Sequence, residues 1–388
     1  MSSGRHFLQI PGPTNVPDRV LRAISYPTID HRGPEFADLG LDVLDRLKSV
    51  LRTGADAVVY PSSGTGAWEA ALVNTLSPGD RVLMFETGHF GTLWAGLARD
   101  LGLDVEFVPG DWRSGVHPAV VEERLRADTD HRIKAVAVVH SETSTGVVSR
   151  IPEIRAALDS AGHPALLLVD AISSLGSVDY RHDEWGVDVT ISCSQKGLML
   201  PPGLSFHGIS AKARRASESA GFARSYWNWE PMLESNAGGF FPYTPATNLL
   251  YGLREAVAML HEEGLEQVFA RHRRLAAAAR AAVEAWGLEL VCQVPEEYSP
   301  VLTAVEMPEG DDADKLRSAI LERFDVSLGA GLGRLRGRVF RIGHLGHLNE
   351  PGLLGTLGAI EAGLRLTGTA HRPGGVTAAA QYLADTSG

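Results

Sequence analysis

The sequence predicts an α/β fold: a large domain built on a mostly parallel sheet of seven strands, followed by a smaller α+β domain. Two observations carry this. Short apolar runs alternate with stretches of helical periodicity through the first two-thirds of the chain, the pattern of a parallel sheet covered by crossover helices. After Pro245 a long helical segment ends that alternation, and strand, strand, helix, strand, helix follow. The 388 residues suffice for two domains on the usual scale of roughly 100–200 residues each.

In order, the spacing predicts strands over 57–60, 81–85, 105–108, 135–139, 165–169, 187–192 and 204–209. Helices with apolar residues every three to four positions fall between them, over 36–51, 66–76, 91–100, 118–126 and 152–160. The segment after Pro245 reads as a long helix with a break at Gly264, continuing to Trp286 as the bridge out of the large domain. Beyond it come strands over 288–292 and 302–306, a helix over 312–324, a strand over 339–342 and a helix over 350–366. The expected organisation is an N-terminal arm over 1–18, a large domain over 19–262, a small domain over 263–368 and a tail over 369–388. The tail is rich in Gly, Ala and Thr and is expected to be partly disordered.

Composition narrows the function. A net charge of −11 without a local basic patch argues against nucleic acid or an anionic membrane surface as partner. The longest apolar runs, 135–139 and 165–169, are far shorter than the roughly 20 residues of a membrane helix. The start of the chain has no continuous apolar signal region, and the only two cysteines, Cys193 and Cys292, suit a reducing compartment and exclude a cysteine-based metal site. A cytoplasmic protein with no metal and no membrane partner is expected. Glycine is in excess at 42 residues and gathers at the ends of strands.

Four features point to chemistry. Pro61-Ser62-Ser63-Gly64-Thr65-Gly66-Ala67-Trp68-Glu69 joins a strand to a helix with small residues, which bares backbone N–H groups at a helix N-terminus and suits a phosphate. Leu166-Leu167-Leu168-Val169-Asp170-Ala171 carries a carboxylate to the end of a buried strand, the sheet edge where α/β folds bind ligands. Ser192-Cys193-Ser194-Gln195-Lys196-Gly197 delivers one lysine where partial desolvation can free its amine for Schiff-base chemistry. Val339-Phe340-Arg341-Ile342-Gly343 sets an arginine inside an apolar strand, where its charge needs an anion. The four match what pyridoxal 5'-phosphate requires: a phosphate cradle, a carboxylate for the pyridine nitrogen, an amine and a substrate clamp.

At these residues, and along nearly the whole chain, the sequence resembles the class V, fold-type I pyridoxal-phosphate aminotransferases, within them the serine–glyoxylate and alanine–glyoxylate types. Pro11-Gly12-Pro13-Thr14-Asn15, Ser63-Gly64-Thr65-Gly66, His140-Ser141-Glu142-Thr143, Ser194-Gln195-Lys196-Gly197, Phe241-Pro242-Tyr243-Thr244-Pro245 and Phe340-Arg341-Ile342-Gly343 carry the resemblance. It implies that Lys196 forms the Schiff base, that Asp170 pairs with the pyridinium nitrogen, and that Phe90 and Ile172 pack against the ring. It further implies that Ser63, Gly64, Thr65 and Gln195 hold the phosphate, that Thr143 contacts ring substituents, and that Tyr243 and Thr244 reach the phosphate of a neighbouring subunit. Arg341 would bind the substrate carboxylate and Gly12 would wall the substrate pocket. A homodimer sharing its active sites is the implied assembly.

Within that family the segment Tyr226-Trp227-Asn228-Trp229-Glu230-Pro231-Met232 is similar to the bacterial serine–glyoxylate branch. The implied reaction is ping-pong transfer from L-serine to glyoxylate, giving hydroxypyruvate and glycine, with alanine or aspartate as alternative donors. A cysteine desulfurase or lyase would need a nucleophilic cysteine on a mobile loop, whereas Cys292 sits in an apolar strand pattern and Cys193 beside Lys196. A non-catalytic relative would lack Lys196 or Asp170, and both are present. The basic run Arg334-Leu335-Arg336-Gly337-Arg338 reads as a solvated rim.

Overall fold

The computed structural model describes residues 4–386, so Met1 to Ser3 of the arm and the last two residues of the tail lie outside the described residues. The arm supplies β1 (Phe7–Gln9), and α1 (Asp18–Ile24) and α2 (Pro34–Leu51) follow. Strand and helix then alternate: β2 (Asp56–Tyr60), α3 (Gly64–Thr75), β3 (Arg81–Phe85), α4 (His89–Asp100), β4 (Asp104–Val108), α5 (Pro118–Ala127) and β5 (Ile133–Val139). A short hairpin of β6 (Ser141–Glu142) and β7 (Val147–Val148) leads to α6 (Ile151–Ala161), β8 (Leu166–Asp170), β9 (Val189–Cys193) and β10 (Ser205–Ile209). Next come α7 (Ala211–Ser219), α8 (Trp229–Asn236), α9 (Thr247–Glu263) and α10 (Leu265–Trp286). The remainder holds β11 (Glu289–Leu290), β12 (Leu302–Glu306), α11 (Ala313–Phe324), β13 (Val326–Ala330), β14 (Val339–Gly343), α12 (Glu350–Thr367) and α13 (Gly375–Asp385).

The large sheet has seven strands in the order β2-β10-β9-β8-β5-β3-β4. Only β10 runs against its neighbours, so the mostly parallel sheet is as the sequence predicts. Every residue of β8 and β9 is buried, because helices cover both faces and leave no polar side for either strand. One face packs against α2, α5, α6, α9 and the start of α10, the other against α3, α4 and α8. Crossing from β4 back to β5 reverses the direction in which strands are added, and the carboxyl edge beside that reversal is where an open α/β sheet binds ligands.

A second sheet has the order β1-β13-β14-β12-β11. Its strand β14 lies between β12 and β13, and Arg341 there pairs with Ala304 and Gly329. Several elements went unread in the sequence, among them α1, the β6–β7 hairpin, β13, β1, α7, α8 and α13. The arm strand β1 joins this sheet through β13, a pairing between residues more than 300 positions apart that no local pattern reveals. The helices α7 and α8 were masked by polar and aromatic composition. The Gly/Ala/Thr-rich tail is not disordered over its described part: α13 packs on α10, burying Ala379 and Leu383, four apart on one face. Trp286 fills the contact, so close to Gly375 that a Cβ there would stand 2.2 Å from the indole nitrogen.

Candidate active site

Three strands end at one cavity. Val139, Asp170 and Cys193 are the last residues of β5, β8 and β9, and all three line it. Register sets Val139 opposite Asp170, and Cys193 lies two residues beyond Ile191, the partner of Asp170. The loops that follow the same strands bring in Ser141 and Thr143, Ile172 and Ser173, and Gln195 and Lys196. The start of α3 adds Ser63, Gly64 and Thr65, α4 adds Phe90, and the arm adds Gly12 and Pro13. The cavity measures about 210 Å³.

Lys196 is buried, and its Nζ donates to the Pro11 carbonyl at 2.5 Å. Burial lowers its pKa to about 8, with the Arg341 charge acting in the same direction. The arm is pinned over this lysine: the Thr14 amide donates to the Gln195 carbonyl at 3.1 Å, and the Thr14 hydroxyl to the Lys196 carbonyl at 3.1 Å. Gly12 permits the close approach, for it has φ +107° and a Cβ there would lie 2.5 Å from Lys196 Cδ.

Asp170 is 3% exposed, and burial raises its pKa to about 7. Its two oxygens accept from neutral donors, the Ile172 amide at 2.8 Å and Trp68 Nε1 at 2.9 Å. At the α3 N-terminus Ser63 is extended and makes no side-chain cap, so the first N–H groups of the helix are left for a ligand. Gln195 Oε1 is buried without a partner, an amide end that a ligand group would satisfy. Thr143 Oγ1 pairs with Ser173 Oγ at 2.6 Å.

Arg341 stands behind this wall. Its Nη1 donates to the Thr143 carbonyl at 2.6 Å and its Nε to the Ala330 carbonyl at 2.7 Å. Burial lowers the guanidinium to about 10, opposed by the nearby Glu142 charge. Glu142 is itself occupied by the Ser144 amide and hydroxyl and by the Gly91 amide at the α4 N-terminus. Among the described residues Arg341 therefore meets carbonyls and no carboxylate at bonding distance, an arrangement that suits an anionic ligand.

The structure thus gathers Gly12, Ser63, Gly64, Thr65, Phe90, Thr143, Asp170, Ile172, Gln195 and Lys196 around one cavity. Arg341 reaches that wall through Thr143. Tyr243 and Thr244 do not line the cavity of their own chain. Tyr243 stacks on Tyr226 at 4.4 Å with a buried, unpartnered hydroxyl, and Thr244 is exposed. Arg334 lies over the Trp112 ring at 4.4 Å and Arg336 is exposed, and neither lines the cavity. Sequence reasoning gave no role to Trp68 or Ser173. Trp68 was legible in principle, lying four positions after Gly64 and so on the same face of α3, while Ser173 is placed only by the bend after β8.

The residues fit pyridoxal 5'-phosphate: an open helix N-terminus, a buried carboxylate held by neutral donors alone, an unpartnered amide end and a lysine whose pKa burial has lowered surround one space. A mostly parallel sheet with a lysine and a carboxylate at its carboxyl edge and a buried arginine alongside is the arrangement of the fold-type I enzymes, the class that uses pyridoxal 5'-phosphate. The chain matches the family model described as Aminotransferase class-V over residues 6–332 and belongs to that family. It is 49% identical to the serine–glyoxylate aminotransferase of Methylorubrum extorquens, over 98% of this chain and 96% of the relative. It is 47% identical to the L-aspartate–glyoxylate aminotransferase of Paracoccus denitrificans, over 96% of this chain and 94% of the relative. Among solved structures, the ureidoglycine–glyoxylate aminotransferase of Bacillus subtilis superposes with a TM-score of 0.90 at 28% identity, covering 98% of this chain and 99% of that one.

Proposed function

We propose that the protein transfers the amino group of a small L-amino acid, L-serine foremost, to glyoxylate, giving hydroxypyruvate and glycine, with pyridoxal 5'-phosphate carried on Lys196. The observation behind this is the joint placement of Lys196 and Asp170 at one cavity, with Arg341 against its wall. The serine–glyoxylate and aspartate–glyoxylate relatives support the acceptor and leave aspartate, with alanine, as alternative donors.

When bound, the cofactor supplies a carbonyl that exchanges amino groups and a ring that draws electrons from the substrate Cα. Ser63, Gly64, Thr65 and Gln195 hold its phosphate, and Asp170 keeps the ring nitrogen protonated. Phe90 and Ile172 pack against the ring, and Thr143 contacts its substituents. Arg341 and the wall at Gly12 orient the substrate carboxylate. Lys196 Nζ would take the proton from the substrate Cα and hold it for return, a role that suits an amine whose pKa burial has lowered to about 8.

The protein acts as a homodimer in which Tyr243 and Thr244 complete the phosphate site of the partner chain, which gives the unpartnered Tyr243 hydroxyl an acceptor. A cytoplasmic setting accords with two free, buried thiols. Burial raises Cys193 to about 12 and Cys292 to about 11, which disfavours a thiolate nucleophile and with it a desulfurase. A panel of amino donors against glyoxylate tests the reading: L-serine is expected to lead, with Lys196→Ala devoid of the visible cofactor absorbance and of turnover. Wild-type turnover by the alanine variant, or sulfide release from cysteine with negligible transamination, would refute it.

A further inference from the structure

Trp68 belongs to none of the roles above, yet it touches Asp170 directly. Its Nε1 donates to Asp170 Oδ2 at 2.9 Å while the Ile172 amide donates to Oδ1 at 2.8 Å, so each carboxylate oxygen has one donor and the two come from different elements. The indole is 3% exposed, lines the cavity, and lies nearly parallel to Trp94, with centroids 5.8 Å apart and 13° between planes. That stack on α4 fixes the direction of the N–H. Among the described residues no Lys, Arg or His forms an ion pair with Asp170; the charged and titratable groups around it are Lys196, Glu142, Cys193 and Tyr180.

We propose that Trp68 is a positioning residue of the reaction: its indole N–H orients the Asp170 carboxylate and keeps it ionised, so that the shared proton resides on the cofactor ring nitrogen rather than on Asp170. This rests on the reading in which Asp170 meets that nitrogen. Burial favours the neutral carboxyl of Asp170, and the Trp68 and Ile172 hydrogen bonds oppose it. Moving the proton between ring nitrogen and carboxyl leaves the total proton count unchanged. The effect of Trp68 is therefore on where the proton sits, and a probe of the nitrogen itself is needed.

The test loads the holoenzyme and its variants with ring-15N pyridoxal 5'-phosphate and follows the nitrogen chemical shift between pH 6 and 9. Wild type is expected at the protonated position. Trp68→Phe, which keeps an aromatic ring against Trp94 and loses the donor, is expected to move toward the unprotonated position by about a tenfold change in proton distribution. Trp68→His, which regains an N–H, is expected to recover most of that. Asp170→Asn separates the two claims: a ring nitrogen still protonated there would sink the Asp170 reading itself. Loss of protonation in Asp170→Asn with an unmoved shift in Trp68→Phe would overturn the Trp68 proposal alone. A second measurement needs no Phe variant: the Trp68 indole proton resonance, assigned through Trp68→His, is expected to shift upfield in Asp170→Asn. An unmoved resonance overturns the proposal as well.

Discussion

Lys196 and Asp170 are both buried where their charged forms are costly, and the protein bears that cost before any ligand arrives. Unfolded, Lys196 holds its proton up to about pH 10.5, whereas in the folded chain it loses it near 8. Between those values the unfolded chain binds more protons, so stability rises with pH across the window, and below about pH 8 the full cost is present. Lys196→Met is accordingly expected to stabilise the cofactor-free protein at pH 7 by up to about 3 kcal/mol, a gain that fades between pH 8 and 10.5. Thermal melts across that range check it, and a gain that does not fade would show that the buried amine is not its source. Both residues were legible in the sequence because each ends or follows an apolar strand, where an ionisable group has few structural reasons to sit. For Trp68 the spacing from Gly64 gives its helix face but not its role, because a tryptophan in an apolar helix reads as core until the acceptor of its N–H is known.

At the scale of elements, α3 and α13 make opposite demands. The start of α3 must stay open. A Cβ on Gly64 would stand 2.3 Å from Ile172 Cδ1, so Gly64→Ala forces the helix start and Ile172 apart. About 1–3 kcal/mol of strain is expected to lower the melting of the cofactor-free protein, and an Ile172 side chain pushed into the cavity to lower cofactor affinity by about tenfold or more, measured by absorbance titration. The tail helix α13 must stay closed on α10. Leu383→Ala is expected to lower stability by about 2–5 kcal/mol in denaturant melts, whereas a disordered tail would leave them unchanged. The seven strands of the large sheet were legible from apolar runs bounded by turns. The tail helix was not, since alanine and glycine contribute little hydrophobic signal even where α13 buries Ala379 and lays Gly375 against Trp286.

For the whole molecule, Tyr243 and Thr244 lie outside the cavity of their own chain, and the proposed dimer is what would bring them to a site. Mixing Lys196→Ala chains with Tyr243→Ala chains after reversible dissociation is expected to restore activity to about one quarter of wild type, because half of the dimers are hybrids and each hybrid has one intact site. No recovery in verified hybrids would show that one chain supplies both residues to a site. Dimer geometry is beyond the reach of sequence spacing, which says nothing of how two chains meet. The central claim, amino transfer at Lys196, is tested most directly by one half-reaction. Holoenzyme mixed with excess L-serine and no glyoxylate is expected to lose its visible absorbance, release one equivalent of hydroxypyruvate per chain and regain the absorbance on adding glyoxylate. Release of ammonia with pyruvate, or an unchanged spectrum with every small donor tried, would contradict the account.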